Sequence, residues 1–471
     1  MKSIGFKNFR RFQEMNSISL GGINMFVGGN NAGKSTVVKG MLLLIDFLKN
    51  SRTPYSEYPK FRFDGPESHD VNIDTFRRAK CWNTDENEIT FTTVLDDIEI
   101  GVCIYSPKDE SKEDVAYADV KYYKVFDKET GISLDFQFTG AGEQYGVTVT
   151  TPKRSYSLKL QKDFWSDNIP DVVSYIGGLT NPLYSNNGDD DKNDEKNRNG
   201  LMKSYDSQLH DIKERFLKAI YKIQIEYIYS HDAGQRVLYN IKDENDYVSK
   251  SIHEFYNQRI TSKAPLGKRF VCKWLKEFCK VDDYRITNIQ GEAYQFELKT
   301  GGKWVNLADM GRGTIQVVTL LVRIASIIKK YERDSSVNYL LSEPKVPIVL
   351  VEEPEQNLHP ALQSQLTELF YDVYKTYGIR FIIETHSEYL IRKTQVLVAN
   401  EDYEDEKALM ENNPFKVYFF EPDSTKKPRN MEYEISGAFK EKFGTGFFDE
   451  ASKSDMTIIR KEYELKKKNK K

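Results

Sequence analysis

Short apolar runs of β character open the chain, at Ile4 to Phe6, Ile18 to Leu20 and Ile23 to Val27. The spacing then changes. From Gly33 to Lys49 the apolar residues Val37, Met41, Leu44, Ile45 and Leu48 recur on one side of a helix. Strand, glycine-rich turn and helix in that order predict an α/β nucleotide fold. Between residues 88 and 161 the runs EITFTTVLDD, DIEIGVCIYS, DVAYADVKYY, ISLDFQFTG, YGVTVTT and SYSLKLQ are short, often alternating and joined by turn residues. They predict an antiparallel sheet. Residues 162–285 read as mostly helical, interrupted by the solvated loop NNGDDDKNDEKNRNG at 186–200 and the strand-like KIQIEYIYS at 222–230. Strands return from 286 with ITNIQ and AYQFELKT, followed by a helix at 314–331, the buried-looking strand VPIVLVEE, a helix at 360–376 and the strand IRFIIETH. Neither an internal repeat nor a heptad run long enough for a coiled-coil arm is visible.

Composition narrows the class. A chain of 471 residues exceeds one hydrophobic core, so two or three domains are expected. The 39% apolar content, with 27 Phe and 29 Tyr, can fill such cores. The longest apolar run, Met41 to Ile45, falls far short of the ~20 residues that span a bilayer, so no membrane partner is expected. Charge interrupts the opening Met1-Lys-Ser-Ile-Gly-Phe-Lys before any signal-peptide core forms. Cys81, Cys103, Cys272 and Cys279 are too scattered for a disulfide framework or a zinc site, and Cys272 and Cys279 fit one helix. A cytoplasmic location is the simple expectation. The 68 basic and 71 acidic residues leave a net charge of −3, which argues against an all-over basic coat and leaves a local basic groove open.

The strongest chemical signal is Gly28-Gly-Asn-Asn-Ala-Gly-Lys-Ser-Thr36, which fits G-x-x-x-x-G-K-[ST] in the strand–turn–helix context that motif requires. Its glycines free the backbone N–H groups of Asn30, Asn31, Ala32 and Gly33 to wrap a phosphate chain at a helix N-terminus. Lys34 reaches the β- and γ-phosphates, Ser35 holds Mg²⁺, and Thr36 completes the loop. ATP and Mg²⁺ are therefore the expected ligands. Val346-Pro-Ile-Val-Leu-Val-Glu-Glu-Pro-Glu355 reads as a central parallel strand ending in adjacent carboxylates, where ligands sit in open α/β sheets. Glu352 can support the Mg²⁺ shell and Glu353 can polarise the attacking water. Phe381-Ile-Ile-Glu-Thr-His-Ser387 places His386 beyond another buried strand, within reach of a γ-phosphate if the strands are neighbours. Glu355-Gln-Asn-Leu-His-Pro360 makes a turn into a helix with Pro360 near its first position.

This set resembles the ABC-type ATPase heads of the RecF, RecN, SMC and OLD (overcoming-lysogenization-defect) group. It is most similar to the compact AAA_15/AAA_21-like members found in anti-phage systems, including the ATPase subunits of Septu and PARIS. The opening Ile4-Gly-Phe-Lys-Asn-Phe-Arg-Arg-Phe12 resembles this group's first strand, whose arginine lies near the nucleotide, a role open to Arg10 or Arg11. Leu307-Ala-Asp-Met-Gly-Arg-Gly-Thr-Ile-Gln316 resembles the divergent ABC signature. By that resemblance Gly311 and Gly313 face the nucleotide of the opposite protomer. The chain departs from the pattern in three places. Glu352 stands where aspartate is usual, the Q-loop residue has no clear counterpart, although the region around Asn72-Ile-Asp-Thr-Phe76 can substitute, and the signature lacks its serine, with Ala308 and Thr314 the nearest candidates.

The expected fold is α/β, an ABC-type ATPase head with a phosphate loop, an antiparallel β subdomain and a mostly helical insertion. The expected division is 1–161 for the lobe with the phosphate loop and antiparallel sheet, 162–285 for the insertion, and 286–471 for a return to that lobe followed by the lobe with the signature, acidic strand and switch histidine. The resemblance implies a slow ATPase that dimerises or forms a higher oligomer through an ATP sandwich. It implies the sensor of a defence complex, controlling a separate effector such as a nuclease or toxin. The alternative is a RecF-like repair ATPase that binds DNA directly, so nucleic acid stays open as a partner. Replacing Lys34 with Ala is expected to abolish ATP binding, because the triphosphate loses its main cationic contact. Equal affinity of variant and parent in calorimetry would overturn the phosphate-loop assignment.

Overall fold

The computed structural model describes residues 1–50, 60–65, 73–106, 115–138, 144–152, 155–161, 212, 214–220, 222–230, 234–243, 245–337, 346–421, 423, 427–444 and 456–461. The loop expected at 186–200 lies outside them. The chain divides into two compact units, one of residues 1–20, 35–223 and 424–427, the other of residues 21–34, 224–423 and 428–471.

The first unit is an antiparallel sheet with helix α1 (Lys34–Asn50, from its second residue on). Its strands are β1 (Ser3–Phe9), β2 (Phe12–Ser19), β4 (Lys60–Arg62), β5 (Glu88–Leu95), β6 (Ile98–Tyr105), β7 (Tyr117–Asp127), β8 (Ile132–Phe138), β9 (Gln144–Thr150) and β10 (Ser155–Gln161), with a short helix α2 (Phe76–Ala79) before β5. They run in the order β10-β9-β8-β7-β6-β5-β1-β2, with β4 paired to β7. The alternation read from the sequence has a direct cause. Ile89, Phe91 and Leu95 of β5 and Ile132, Leu134 and Phe136 of β8 point inward at every second position. Phe91 stacks on Phe61 at 4.9 Å and meets Phe6 and Phe9 at 5.7 and 5.3 Å. Helix α1 lies against this layer so closely that a Cβ on Gly40 would come within 2.6 Å of the Phe6 ring.

The second unit holds two sheets. The larger has the order β11-β16-β17-β3-β18-β19, built from β3 (Ile23–Gly28), β11 (Ile223–Ile228), β16 (Val346–Glu352), β17 (Arg380–Thr385), β18 (Phe415–Phe420) and β19 (Arg429–Asn430). Strands β16, β17, β3 and β18 run parallel to one another, with Glu352 in register with Glu384, Glu384 with Phe26, and Phe26 with Tyr418. All six residues of β3 are buried, as an unbroken apolar strand covered on both faces requires. Asn24 is the polar exception: its amide donates to the carbonyls of Gly21 and Phe381, tying β3 to β17. Strand β11 falls inside the range expected to be a helical insertion, yet it forms an edge of this sheet. The smaller antiparallel sheet joins β12 (Tyr239–Asn240), β14 (Ala293–Thr300) and β13 (Asp283–Ile289), with β15 (Lys303–Asn306) on β14.

Helices α3 (Tyr247–Asn257), α4 (Lys273–Cys279), α5 (Arg312–Val337), α6 (Pro360–Tyr377), α7 (Glu388–Asn400) and α8 (Glu406–Asn412) complete this unit. The helices expected at 314–331 and 360–376 are both present, and α5 runs longer at both ends. Cys279 closes α4, while Cys272 lies in the π-helical turn just before it. No helix among the described residues is long and apolar enough to cross a membrane.

Candidate nucleotide site

The phosphate loop leaves β3 in a conformation that side chains resist. Gly28 has φ +145° and an added Cβ would meet the Phe420 carbonyl oxygen at 2.2 Å, so only glycine fits between β3 and β18. Asn31 and Gly33 also have positive φ, at 59° and 102°. The Lys34 ammonium turns back on the loop, donating to the carbonyls of Gly28 at 3.2 Å and Gly29 at 3.0 Å. Ala32 and Gly33 are buried, while Asn30 and Asn31 are exposed. Ser35 and Thr36 follow in α1, the first half-buried and the second buried.

Three acids and a histidine meet Lys34 at the ends of the parallel strands. His386 Nε2 lies 3.1 Å from Lys34 Nζ and 3.5 Å from Glu353 Oε1. Strands β16 and β17 are indeed neighbours, so the condition set for His386 is met. Burial lowers the Lys34 pKa, opposed by the charges of Glu384, Glu353 and Glu355. Burial also lowers that of His386, with the Lys34 charge adding to the shift and Glu353 opposing it. The imidazole is therefore neutral near pH 7 and can accept from the ammonium.

Glu353 has φ 41°, a left-handed backbone unusual outside glycine, and is held there by its N–H donating to the Glu384 carbonyl at 2.8 Å. Gln356 donates to Glu353 Oε2 at 2.6 Å, and the carboxylate stays 39% exposed, open to water. Glu355 differs. Its Oε1 accepts from the Thr385 hydroxyl and the His386 N–H, both at 2.7 Å, its Oε2 is buried without a hydrogen bond, and burial raises its pKa. Glu352 ends β16 and accepts from the Tyr227 hydroxyl. Sequence reasoning missed Tyr227, Glu384 and Glu355. Glu384 and Glu355 lay within stretches already singled out, whereas nothing in KIQIEYIYS pointed to chemistry.

The signature-like segment begins α5. Around Gly311 an added Cβ would meet nothing within 4 Å, so this turn is open. At Gly313 the same Cβ would lie 2.8 Å from the Asn357 carbonyl oxygen, so this glycine packs against its own chain. His359 is exposed and caps α6, its Nδ1 accepting from the Ala361 N–H at 3.3 Å. Arg10 belongs to the other unit. It has φ 50° at the β1–β2 turn and lines a cavity of 420 Å³ with Arg77, Arg78, Lys80, Cys81, Trp82 and Thr84. Burial and the neighbouring Arg78 lower its pKa.

The donor set fits a nucleotide with Mg²⁺. An ammonium seated on a glycine-rich loop is a ready partner for phosphate, and hard carboxylate oxygens suit Mg²⁺. Among the described residues no group of three or more His, Cys, Asp and Glu could cage a metal by itself. Mg²⁺ takes one or two carboxylates and completes its shell with phosphate oxygens and water, so it needs no such cage.

Comparison with known proteins adds the following. The family model described as AAA ATPase domain matches residues 1–139 and 179–391. Among solved structures, the chain is similar to the Smc head domain with an extended coiled coil from Pyrococcus furiosus, bound to the C-terminal domain of ScpA, at 12% identity and a TM-score of 0.35 over 92% of this chain and 96% of that one. It is similar to the SMC head domain from Thermotoga maritima, at 10% identity and a TM-score of 0.35 over 92% and 98%. It is also similar to the recombination mediator protein RecF, at 10% identity and a TM-score of 0.32 over 92% and 98%. No curated protein matches it.

The lowered His386 pKa carries a pH dependence. The unfolded histidine binds its proton near the ordinary value of 6.5, while the folded one resists it. The stability associated with the neutral ring is thus present above pH 6.5 and lost as pH falls from there toward the folded pKa. Histidine NMR of the ligand-free protein is expected to show His386 titrating below 6.5. A midpoint at or above 6.5 would contradict the contact with a charged Lys34.

Proposed function

The chain belongs to the AAA ATPase domain family, and from that premise we propose that it binds and slowly hydrolyses ATP as the sensor of a bacterial anti-phage defence complex, controlling a separate effector such as a nuclease. The observation that carries the ATPase reading is the meeting of Lys34, Glu353 and His386 at the ends of adjacent parallel strands. The defence role rests on the resemblance of the motifs to that subgroup and on the compact sequence without coiled-coil arms. It is an analogy, a weaker warrant than site chemistry.

In this reading the loop of Asn30, Asn31, Ala32 and Gly33 cradles the phosphates through its N–H groups. Lys34 exchanges its two loop carbonyls for phosphate oxygens. Glu352 and the Ser35 hydroxyl hold Mg²⁺, which when bound neutralises charge on the transferring phosphoryl oxygens. Glu353, open to solvent and steadied by Gln356, orients the attacking water and takes its proton. His386, neutral and next to Lys34, sits where the γ-phosphate arrives. Gly311, open at the start of α5, is the position best suited to face a second protomer's nucleotide in an ATP-sandwich dimer. Gly313 serves the same turn by allowing its close packing on Asn357.

A second reading has its own support. The cavity around Arg10 gathers Arg77, Arg78 and Lys80 beside Trp82, which is 66% exposed. Cations beside an exposed aromatic ring suit a phosphate backbone with a stacked base. This favours the RecF-like alternative, in which the ATPase binds DNA directly.

Glu353→Gln is expected to keep ATP binding, lower turnover at least ~10²-fold and accumulate an ATP-bound dimer on a sizing column. A tenfold larger loss in Glu352→Gln than in Glu353→Gln would reverse the two carboxylates' roles. The sensor reading is tested with the purified chain, ATP and Mg²⁺ or Mn²⁺, which is expected to cleave neither DNA nor RNA. Expressed alone the chain is expected to be harmless, with any protective or toxic effect requiring an adjacent gene. Nuclease activity that follows the chain through several columns and vanishes with a point change in it would defeat the sensor reading. ATP-dependent DNA binding lost in Arg78→Glu would favour the RecF-like one.

A further inference from the structure

Glu352 stands where the resembling ATPases usually carry aspartate. Its extra methylene adds a torsion, so a metal-holding carboxylate at this position loses more rotamer freedom when it is fixed. The structure supplies a fixing group. Tyr227, on edge strand β11, donates its hydroxyl to Glu352 Oε1 across 125 residues of sequence. The phenol is protonated well beyond neutral pH, because burial and the charge of Glu352 raise its pKa.

Tyr227 is itself held in place. Its ring lies 4.2 Å from that of Tyr229, two residues on and just past the end of β11, and Tyr229 meets Tyr247 edge-on at 5.6 Å. On the opposite face, Glu226 pairs with Lys330 at 2.6 Å and Arg323 at 3.7 Å, and it accepts from the Tyr331 hydroxyl at 3.1 Å. Arg323 is nearly buried, pairs also with Glu254, and lies 5.9 Å from the Tyr247 ring centre. Both faces of β11 are therefore pinned, one to α5 and the other through Tyr247 to α3.

We propose that Tyr227 is a positioning residue for the metal site, fixing the Glu352 carboxylate in the one rotamer from which it can hold Mg²⁺. The proposal rests on the ATPase reading and deepens it. Hydrogen-bonded partners of metal-holding carboxylates typically govern metal affinity by 10–100-fold. Tyr227→Phe removes the hydroxyl and keeps the ring that packs, tilted by 54°, on Tyr229, so the effect should fall on the metal rather than on the fold.

The test uses the full chain with Mn²⁺ as the probe. Mn²⁺ affinity is read by electron paramagnetic resonance in the presence of a saturating non-hydrolysable ATP analogue, and analogue affinity is read separately in EDTA. In Tyr227→Phe, Mn²⁺ binding is expected to weaken about tenfold, with analogue affinity in EDTA and melting temperature unchanged. Where turnover is measured, the Mg²⁺ concentration for half-maximal rate should rise by a similar factor. In a Glu352→Asp background, whose side chain has one torsion fewer and ends a methylene short of the phenol, the same change should cost less than about twofold. Equal losses in both backgrounds would overturn the proposal. So would parent-like Mn²⁺ affinity in Tyr227→Phe, and if Glu352→Gln lost the metal in the same series, the ATPase reading would stand without it. Parent-like Mn²⁺ binding in Glu352→Gln would remove Glu352 from the metal site and take the proposal with it.

Discussion

A buried ammonium governs the architecture of this molecule's central sheet. Lys34 is 6% exposed, and a charge so far from water is tolerable only with partners at hydrogen-bonding distance. Two carbonyls of its own loop provide part of that, and three carboxylates, two from the turn after β16 and one from β17, supply the countercharge. Those carboxylates repel one another, so without Lys34 the cluster would lack its counterion. Each half stabilises the other only because β17 lies between β3 and β16 in parallel register. The Asn24 amide, bridging to Phe381, is a buried polar contact that secures the β3–β17 pair.

Such a cluster holds together through its own contacts, and under the proposed ATPase reading those contacts can give way to a phosphate. The Lys34 contacts to Gly28 and Gly29 are carbonyl contacts, weaker than those an ammonium makes with phosphate. His386 is neutral, so its exchange of partners leaves no charge stranded. The strain at Glu353, a left-handed backbone in a residue with a side chain, is held by its N–H donating to the Glu384 carbonyl on β17 and its carbonyl accepting from the Gln356 N–H. Strain kept at the end of a buried strand is a common feature of residues whose placement matters for chemistry.

What the sequence made legible follows from how local each signal is. The phosphate loop, the acidic strand end and the strand before His386 are contiguous motifs, and their periodicity gave both element type and place. The alternation at 88–161 gave the antiparallel sheet for the same reason. Tyr227 was invisible because its significance lies in a partner 125 residues away on another strand. Its segment read correctly as a strand, but strand pairing order is not encoded in periodicity. At Gly313 the structure adds a reason for glycine that the motif does not contain: the backbone of Asn357 lies too close for a side chain.

The pair Glu353 and Glu355 shows how placement alone divides labour between like groups. Both follow β16 within three residues, and the sequence reading gives a role to Glu353 alone. Glu355 spends one oxygen on the Thr385 hydroxyl and the His386 N–H, and its other oxygen is buried. With one oxygen engaged and the other out of solvent, it fixes the backbone that presents the imidazole. Glu353 lies beyond the strand's cover, with one oxygen on Gln356 and the other near His386, and solvent reaches it. Only a carboxylate that touches water can take a proton from it, so within the proposed ATPase reading the chemical step falls to Glu353 and the positioning of the histidine to Glu355.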